Sequence, residues 1–522
     1  MKKQVWQPMT ELENTPRAVA LGVFDGVHIG HRAVIASARN VQASATEKCP
    51  TVTVFSLCGV PKSGGRLCTD AREEALAETL GVDEWLSVPF EAVREETPEQ
   101  FVSEILYKKL QATVVCCGYN FRFGKNGAGS VETLKQLCGE LGIEVRVVPA
   151  VEVEGTPVST TEIRRALAAG DPARVMRLLG RPYEVTFPVA HGNGNGCNFG
   201  YPTANQPFPQ GAEIPRFGVY ASLVVIDGVQ YRAITNVGVH PTVGDTDTPQ
   251  AETYIFGYQG DLYDRTLWVQ LIRFLREERR FDSVDALKRQ IAEDVAAAEA
   301  LFNGGEGAKA ILFDFDDTLQ HRPHAFWNTV MEMLKRYNVG LSEEEYERRA
   351  AWMLEKNNHG YVNYFKYMAM VREAFEWEIS SEDMVTEFRV RFPFYSELYD
   401  DAVAVLCELR RRGYRLGVIT NGEIPQQNLK IDYAGIQCLL DALAVAGEEG
   451  VNKPNPEIFR RVAERLCVSP QNCVFVGDYP PTDIVGAQGA GMTPLFIDFH
   501  GRKNCPEGVE EIKTLTELLD RF

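Results

Sequence analysis

The strongest constraint on this chain is a change of hydrophobic rhythm that occurs twice along its 522 residues. Up to about Arg181, short apolar runs alternate with helix-like segments. Ala18–Val23, Thr51–Phe55 and Thr113–Gly118 read as strands, and Arg72–Leu80 and Pro98–Lys109 as helices. That alternation predicts an open parallel α/β sheet. From Pro182 to about Ile272, Gly, Pro, Asn and Thr become dense, and runs such as Val219–Val225 and Leu267–Phe274 read as antiparallel strands of a small β-barrel. A helix follows over Ser283–Phe302, with Ser283 as its N-cap. After the Gly-rich stretch Asn303–Gly307 the first rhythm returns, with strands predicted at Ala310–Phe313, Leu416–Thr420, Ala442–Ala446, Cys473–Gly477 and Thr493–Ile497.

The expected division is therefore a domain at 1–182, a barrel with its helix at 183–303, a linker at 304–309, and a second α/β domain at 310–522. A helical cap is inserted into the last at about 323–398. The net charge of −18 speaks against a nucleic-acid or anionic-membrane binder, since both need a basic surface. The twelve cysteines form no C-x-x-C pair and no zinc-spaced cluster, as expected for free thiols in a reducing compartment. No apolar stretch approaches membrane-helix length, and Met1 to Thr15 holds no apolar signal core, so a cytoplasmic protein is expected. The sequence sets no oligomeric state.

Three places concentrate chemistry. The first is Gly22-Val-Phe-Asp-Gly-Val-His-Ile-Gly-His31, between a predicted strand and the predicted helix His31–Arg39. His28 and His31 at a helix N-terminus can face a phosphate together, and glycines let backbone amides come close to it. The second is Gly200-Tyr-Pro-Thr-Ala-Asn205, whose neutral oxygens on Thr203 and Asn205 suit a hard cation. The third is Ile311-Leu-Phe-Asp-Phe-Asp-Asp-Thr-Leu319, a hydrophobic strand ending in D-x-D-x-T. Two neighbouring carboxylates there suit a Mg2+ ion and phosphate chemistry.

The first string, with Gly118-Tyr-Asn-Phe-Arg-Phe-Gly124 and Ser159-Thr-Thr-Glu-Ile-Arg164, resembles the adenylyltransferase half of prokaryotic bifunctional riboflavin kinase/FAD synthetases. The resemblance implies that His28 and His31, with Gly22, Phe24, Asp25 and Gly30 around them, hold ATP phosphates while the FMN phosphate attacks the α-phosphorus. It implies that Asn120, Ser159, Thr160 and Arg164 complete the nucleotide and FMN site. The second string resembles the kinase half, with Gly218-Val-Tyr-Ala221, Asn236-Val-Gly-Val-His-Pro-Thr242, Asp261-Leu-Tyr263 and Phe281-Asp-Ser283 following in order. Glu252 is then the general base toward the riboflavin 5′-hydroxyl. Thr203 and Asn205 hold the metal with ATP, and Arg276 and Phe281 are flavin-side contacts. Two stretches depart from the family. Ser56-Leu-Cys-Gly-Val-Pro61 has no histidine, which predicts slower FAD synthesis. The 191–198 loop has no basic residue besides His191, which predicts weaker ATP binding.

The third string, with Thr420-Asn-Gly422, Lys453-Pro-Asn-Pro456 and Gly477-Asp-Tyr-Pro-Pro-Thr-Asp483, resembles the haloacid dehalogenase superfamily over about 308–522. That implies attack by Asp314 to give an aspartyl-phosphate, with Asp316 protonating the leaving oxygen and then activating water. Thr420, Asn421 and Lys453 bind phosphate, and Asp314, Asp316, Asp478 and Asp483 supply the metal site, for Mg2+ or Mn2+. The cap carries Trp327, Trp352, Tyr361, Tyr364, Phe365 and Trp377, read mainly as core residues with some free to stack on a ring. Three substrates fit: a phosphorylated ribitylamino-pyrimidine, FMN, or an unrelated sugar or nucleotide phosphate. A competing reading makes the N-terminal half a weakly catalytic flavin sensor; the retained Glu252, His28 and His31 speak against it.

Overall fold

The computed structural model describes residues 1–6, 12–44, 50–60, 64–191, 200–239, 248–304, 309–360, 362–499, 501 and 504–522. Three six-stranded sheets organise them. The first is wholly parallel, in the order β1-β4-β3-β2-β5-β6. Its strands are β1 (Lys2–Val5), β2 (Arg17–Gly22), β3 (Thr51–Cys58), β4 (Glu84–Pro89), β5 (Ala112–Gly118) and β6 (Glu144–Val148). Most of β2 and β3 is buried, as expected of central parallel strands with both faces covered. Helices α1 (Ile29–Ser44), α2 (Asp70–Thr79) and α3 (Thr160–Ala169) belong to this unit, with a two-stranded ribbon of β7 (Glu152–Val153) and β8 (Thr156–Pro157).

The second sheet is antiparallel: β10-β13-β12-β11-β14-β9. It comprises β9 (Tyr183–Val185), β10 (Thr203–Pro207), β11 (Gly218–Ile226), β12 (Val229–Val239), β13 (Pro249–Ile255) and β14 (Val269–Arg276). Bridges Ala190–Asn205 and Pro188–Thr266 draw its two edges together, which is the barrel expected from sequence. Helix α4 (Val284–Phe302) lies against β11, β12 and β14, and the Ser283 hydroxyl accepts from the Ala286 N–H at 3.2 Å as its cap.

The third sheet is parallel again, β17-β16-β15-β18-β19-β20, from β15 (Ala310–Phe313), β16 (Arg415–Thr420), β17 (Ala442–Val445), β18 (Cys473–Gly477), β19 (Thr493–Ile497) and β20 (Glu510–Ile512). Four cap helices, α5 (Arg322–Tyr337), α6 (Glu343–Asn357), α7 (Tyr364–Phe375) and α8 (Ser381–Arg391), intervene between β15 and β16 and pack around their own core. Helices α9 (Gln426–Ala434) and α10 (Pro456–Leu466) follow β16 and β17.

The third unit rests on both others. The Glu464 carboxylate on α10 accepts from Arg232 (2.8 Å) and Gln230 (2.7 Å) of the barrel, and Arg461 donates to the Gly228 carbonyl. Asp432 on α9 meets Arg32 on α1 at 3.0 Å. No helix among the described residues is long and apolar enough to cross a membrane.

Candidate active sites

In an open α/β sheet, ligands collect beyond the strand ends where the strand order reverses. In the first sheet that point lies between β2 and β5, and the loops leaving these strands carry His28 and Asn120. Phe24 is fully buried against Trp85 (6.0 Å between centroids) and His31 (5.1 Å), so it anchors the loop from below. The His28 and His31 rings stack at 3.5 Å, 19° from parallel. The backbone N–H of His31 donates to His28 Nδ1 at 3.2 Å. An accepting Nδ1 in a neutral ring leaves the proton on Nε2 as a donor. A Cβ on Gly30 would lie 3.2 Å from the His28 ring, so glycine there makes room for the imidazole.

Asp25 and Arg164 do meet, but as a brace. Asp25 Oδ1 accepts from the Leu67 N–H at 2.8 Å, and its Oδ2 accepts from Arg164 Nη2 at 2.6 Å. Arg164 also donates to the Gly65 carbonyl and lies 3.3 Å from Glu213, which leads into the barrel. Asp25 and Arg164, expected at the nucleotide site, thus hold internal partners here. The Ser159 hydroxyl is likewise engaged as the N-cap of α3, accepting from the Glu162 N–H at 3.2 Å, with Thr160 next in the helix. Gly22 and the aromatic rings of Phe55, Phe101, Phe121 and Phe123 line a cavity of about 390 Å³ at this end of the sheet. Nearby, burial pushes the Glu73 carboxyl up to about 7, against the pull of Arg66.

In the barrel, Thr203 and Asn205 are two residues apart on β10 and share a face, with the Thr203 hydroxyl 3.4 Å from Asn205 Oδ1. Register places Glu252 on β13 between Asn205 on one neighbour and Asn236 on the other. Glu252 is half-buried, and Gln250 Nε2 donates to its Oε1 at 3.0 Å. Arg276, expected on the flavin side, donates to both oxygens of Asp294, at 2.8 and 2.7 Å, clamping α4 to the sheet, with Phe281 at 5.8 Å. The segments 192–199 and 240–247, and with them most of the 191–198 loop and His240 to Thr242, lie outside the described residues, as do Pro61 and Tyr361.

In the third sheet the order reverses between β15 and β18, and Asp314 and Asp478 emerge from those two strands. Asp314, Asp478 and Asp483 are buried, with one oxygen from each within 4.8 Å of the others. Lys453 Nζ sits among them, 2.5 Å from Asp314 and 2.7 Å from Asp483. Burial raises Asp314 well above the ordinary carboxylate range; Lys453 draws it down, and Asp483 pushes it up again. Thr420 ends β16 nearby. The side chain of Asn421, expected at the phosphate, exchanges hydrogen bonds with the backbone of Lys453, at 3.0 and 2.8 Å, and so fixes the lysine loop.

Asp316, expected in the metal set, lies outside the cluster that Asp314, Asp478 and Asp483 form. Lys430 Nζ donates to both its oxygens (2.6 and 2.7 Å), and Gln427 Nε2 donates to Asp316 (2.7 Å) and to Thr420 Oγ1 (2.5 Å). Burial works to raise Asp316, but Lys430, Arg322 and the Gln427 bond bring it below its ordinary value. The sequence reading missed Gln427 and Lys430. Their signal was spacing: they lie three apart on the helix that follows Thr420-Asn-Gly422, hence on one face. Trp377 is buried in the cap's own core, with Trp327, Trp352 and Tyr364 packed against it, whereas Phe365 is exposed.

Comparison with known proteins agrees with this division into three. Family models match FAD synthetase over 10–162, riboflavin kinase over 179–302 and haloacid dehalogenase-like hydrolase over 308–491. A bifunctional riboflavin kinase/FMN adenylyltransferase of Pseudomonas fluorescens is 37% identical over 286 residues, 54% of this chain and 91% of that protein. Its namesake in Escherichia coli (strain K12) is 34% identical over 295 residues, 54% of this chain and 92% of that protein. Among solved structures, one described as a macrolide-efflux protein from Streptococcus pneumoniae superposes with a TM-score of 0.51 at 27% identity, over 57% of this chain and 99% of that one. The chain belongs to the bifunctional riboflavin kinase/FMN adenylyltransferase family and carries, after that module, a haloacid dehalogenase-like hydrolase domain.

Proposed function

We propose that the hydrolase domain is a Mg2+-dependent phosphatase acting on a phosphorylated ribitylamino-pyrimidine, so that one chain would serve an early and the two last steps of flavin synthesis. The observation that carries the phosphatase reading is the buried trio Asp314, Asp478 and Asp483, two of which, Asp314 and Asp483, share the single ammonium of Lys453. Three carboxylates exceed what one lysine neutralises, and such an oxygen set suits a divalent cation. Asp314 and Asp478 would hold the ion, with Asp483 behind them. When bound, it would offset the repulsion between a phosphate dianion and the attacking carboxylate.

In this reading the incoming phosphate dianion raises Asp316 against the pull of Lys430, so that it takes up a proton; Asp314 Oδ attacks phosphorus, the P–O bond to the alcohol breaks, and Asp316 delivers that proton to the leaving oxygen. Asp316 then takes a proton from water as that water opens the aspartyl-phosphate, releasing phosphate and restoring Asp314. Lys453 and Thr420 steady the phosphoryl oxygens. A polyol phosphate is supported by what surrounds Asp316: Lys430, Gln427 and the buried Arg322, which donates to Asn357 (2.9 Å) and to the Tyr364 hydroxyl (3.0 Å). These are hydrogen-bonding groups suited to hydroxyls, while most of the cap's large aromatics are committed to its core.

In the flavin module, Glu252 takes the proton of the riboflavin 5′-hydroxyl as that oxygen attacks the γ-phosphate of ATP. Thr203 and Asn205 are the candidate holders of Mg2+ with ATP. The Nε2–H face of His28, with His31, binds the ATP phosphates as FMN attacks the α-phosphorus, and the aromatic cavity takes the flavin ring. We place the domain boundaries at 182/183 and across 304–309.

The test is phosphate release, with Mg2+ and without ATP, from the phosphorylated pyrimidine and from FMN, using Asp314→Asn as the blank. Release from the pyrimidine is expected. Preferential release from FMN would make the domain an opponent of its own kinase, and release from neither would overturn the substrate assignment.

A further inference from the structure

Helix α9 has two working faces. On one, Gln427 and Lys430 hold the Asp316 carboxylate with three hydrogen bonds. On the other, it is seated on the adenylyltransferase unit by Asp432, which takes both Nε and Nη2 of Arg32 at 3.0 and 3.3 Å. The Tyr433 hydroxyl donates to the Ala36 carbonyl (2.9 Å), and Asn428 Nδ2 to the Thr79 carbonyl (3.3 Å). Arg32 and Asp432 are nearly inaccessible. The fit is close: a Cβ on Gly81 would lie 3.0 Å from Pro425 Cγ, one residue before α9.

The partner helix matters more than the contact itself. Arg32 directly follows His31, in the first turn of α1, so the residue next to the nucleotide-facing imidazole is ion-paired to the helix that holds Asp316. Helix α1 also packs against the cap helix α8. One rigid element therefore touches the core and the cap of the hydrolase domain.

We propose that α9 is a relay: Lys430 and Gln427 are positioning residues for Asp316, and the seat of their helix on α1 makes that position depend on whether the adenylyltransferase site holds nucleotide. This rests on the phosphatase reading above. Side chains on opposite faces of a nine-residue helix move together when the helix shifts, and the packed interface transmits a shift of α1 to α9. Coupling of this kind changes a rate or affinity by roughly 5- to 150-fold and, for binding, acts equally in both directions.

The experiment uses the full chain with two phosphate esters, p-nitrophenyl phosphate and an alkyl phosphate, with and without α,β-methylene-ATP plus FMN. Wild type should change its hydrolysis rate at least about fivefold when the analogue binds. Asp432→Asn and Tyr433→Phe should keep the basal rate and lose most of that response. Lys430→Met should slow the alkyl ester about tenfold more than the aryl ester, because only the poor leaving group depends on a placed proton donor, with Lys430→Arg restoring part of it. A merely structural role for Lys430 would slow both esters equally. The relay is overturned if wild type hydrolyses both esters but ignores the analogue, or if the response survives in both interface variants. Absence of any hydrolysis by wild type would instead strike the phosphatase reading, and the relay would fall with it.

Discussion

The first and third units are built on the same plan and put opposite chemistry at the same place. Each is a six-stranded parallel sheet whose strand order reverses once, between β2 and β5 in one and between β15 and β18 in the other. In the first, the loop after the central strand delivers two stacked imidazoles at a helix N-terminus. In the third, it delivers a carboxylate into a buried acidic cluster around a lysine. In the proposed reading, the first arrangement would offer donors to an already activated phosphate chain, and the third a nucleophile and a cation site to an unactivated ester. Topology would then set where phosphate binds, and the side chains of one loop whether a phosphorus bond is made to a cofactor or broken by water.

The largest expected effect separates the two sites cleanly. Asp314→Asn should lower phosphate release by about 10,000-fold or more while FAD formation stays within about twofold, as followed by chromatography of flavins and by phosphate assay. A parallel fall in both would show that the sites are not separable. The mirror experiment, His31→Ala, should cost about 100- to 1,000-fold in adenylyl transfer and leave riboflavin phosphorylation intact. Gly30→Ala sharpens the same point with a single methyl group. It should displace the His28 ring and slow adenylyl transfer by about tenfold without changing the thermal midpoint by more than a few degrees.

The smallest expected effect concerns protons. Glu73 supports the loop of the first site, and burial raises its carboxyl to about 7, above the model-peptide value of 4.5. A carboxyl raised on folding binds its proton more tightly in the native state. Its contribution is complete below pH 4.5 and is lost as pH rises toward 7. Stability of the first unit should therefore fall by on the order of 3 kcal/mol across that window, and Glu73→Gln should flatten the slope in denaturant titrations. An unchanged slope would place the linkage elsewhere.

Much of this was legible because local and global signals agreed. Ala310–Phe313, Cys473–Gly477 and Thr493–Ile497 are strands at the expected positions, since short apolar runs between turn residues have few other ways to be buried. The Ser283 cap fixed the start of α4 for the same reason. What escaped depended on partners distant in sequence. Strand β1 is charged and exposed along its length and pairs only through β4, so no periodicity betrays it. Phe101–Lys109, expected as an ordinary helix, is wound as a π-helix after one turn at Pro98–Gln100. Arg276 sits where a flavin contact was expected, yet Asp294, eighteen residues on, claims both faces of its guanidinium fork. Asp316 and Lys430 lie 114 residues apart, across the cap, and only the folded helix joins them.

The claim that the third unit breaks a phosphate ester through its own nucleophile is tested most directly by trapping the intermediate. Full-length protein would be mixed with 32P-labelled substrate and Mg2+, quenched in acid within milliseconds, and digested for mass spectrometry. The account predicts acid-stable label on Asp314, in the segment 311–319, and none in Asp314→Asn. Turnover without covalent label, or acid-stable label outside that segment, would contradict it.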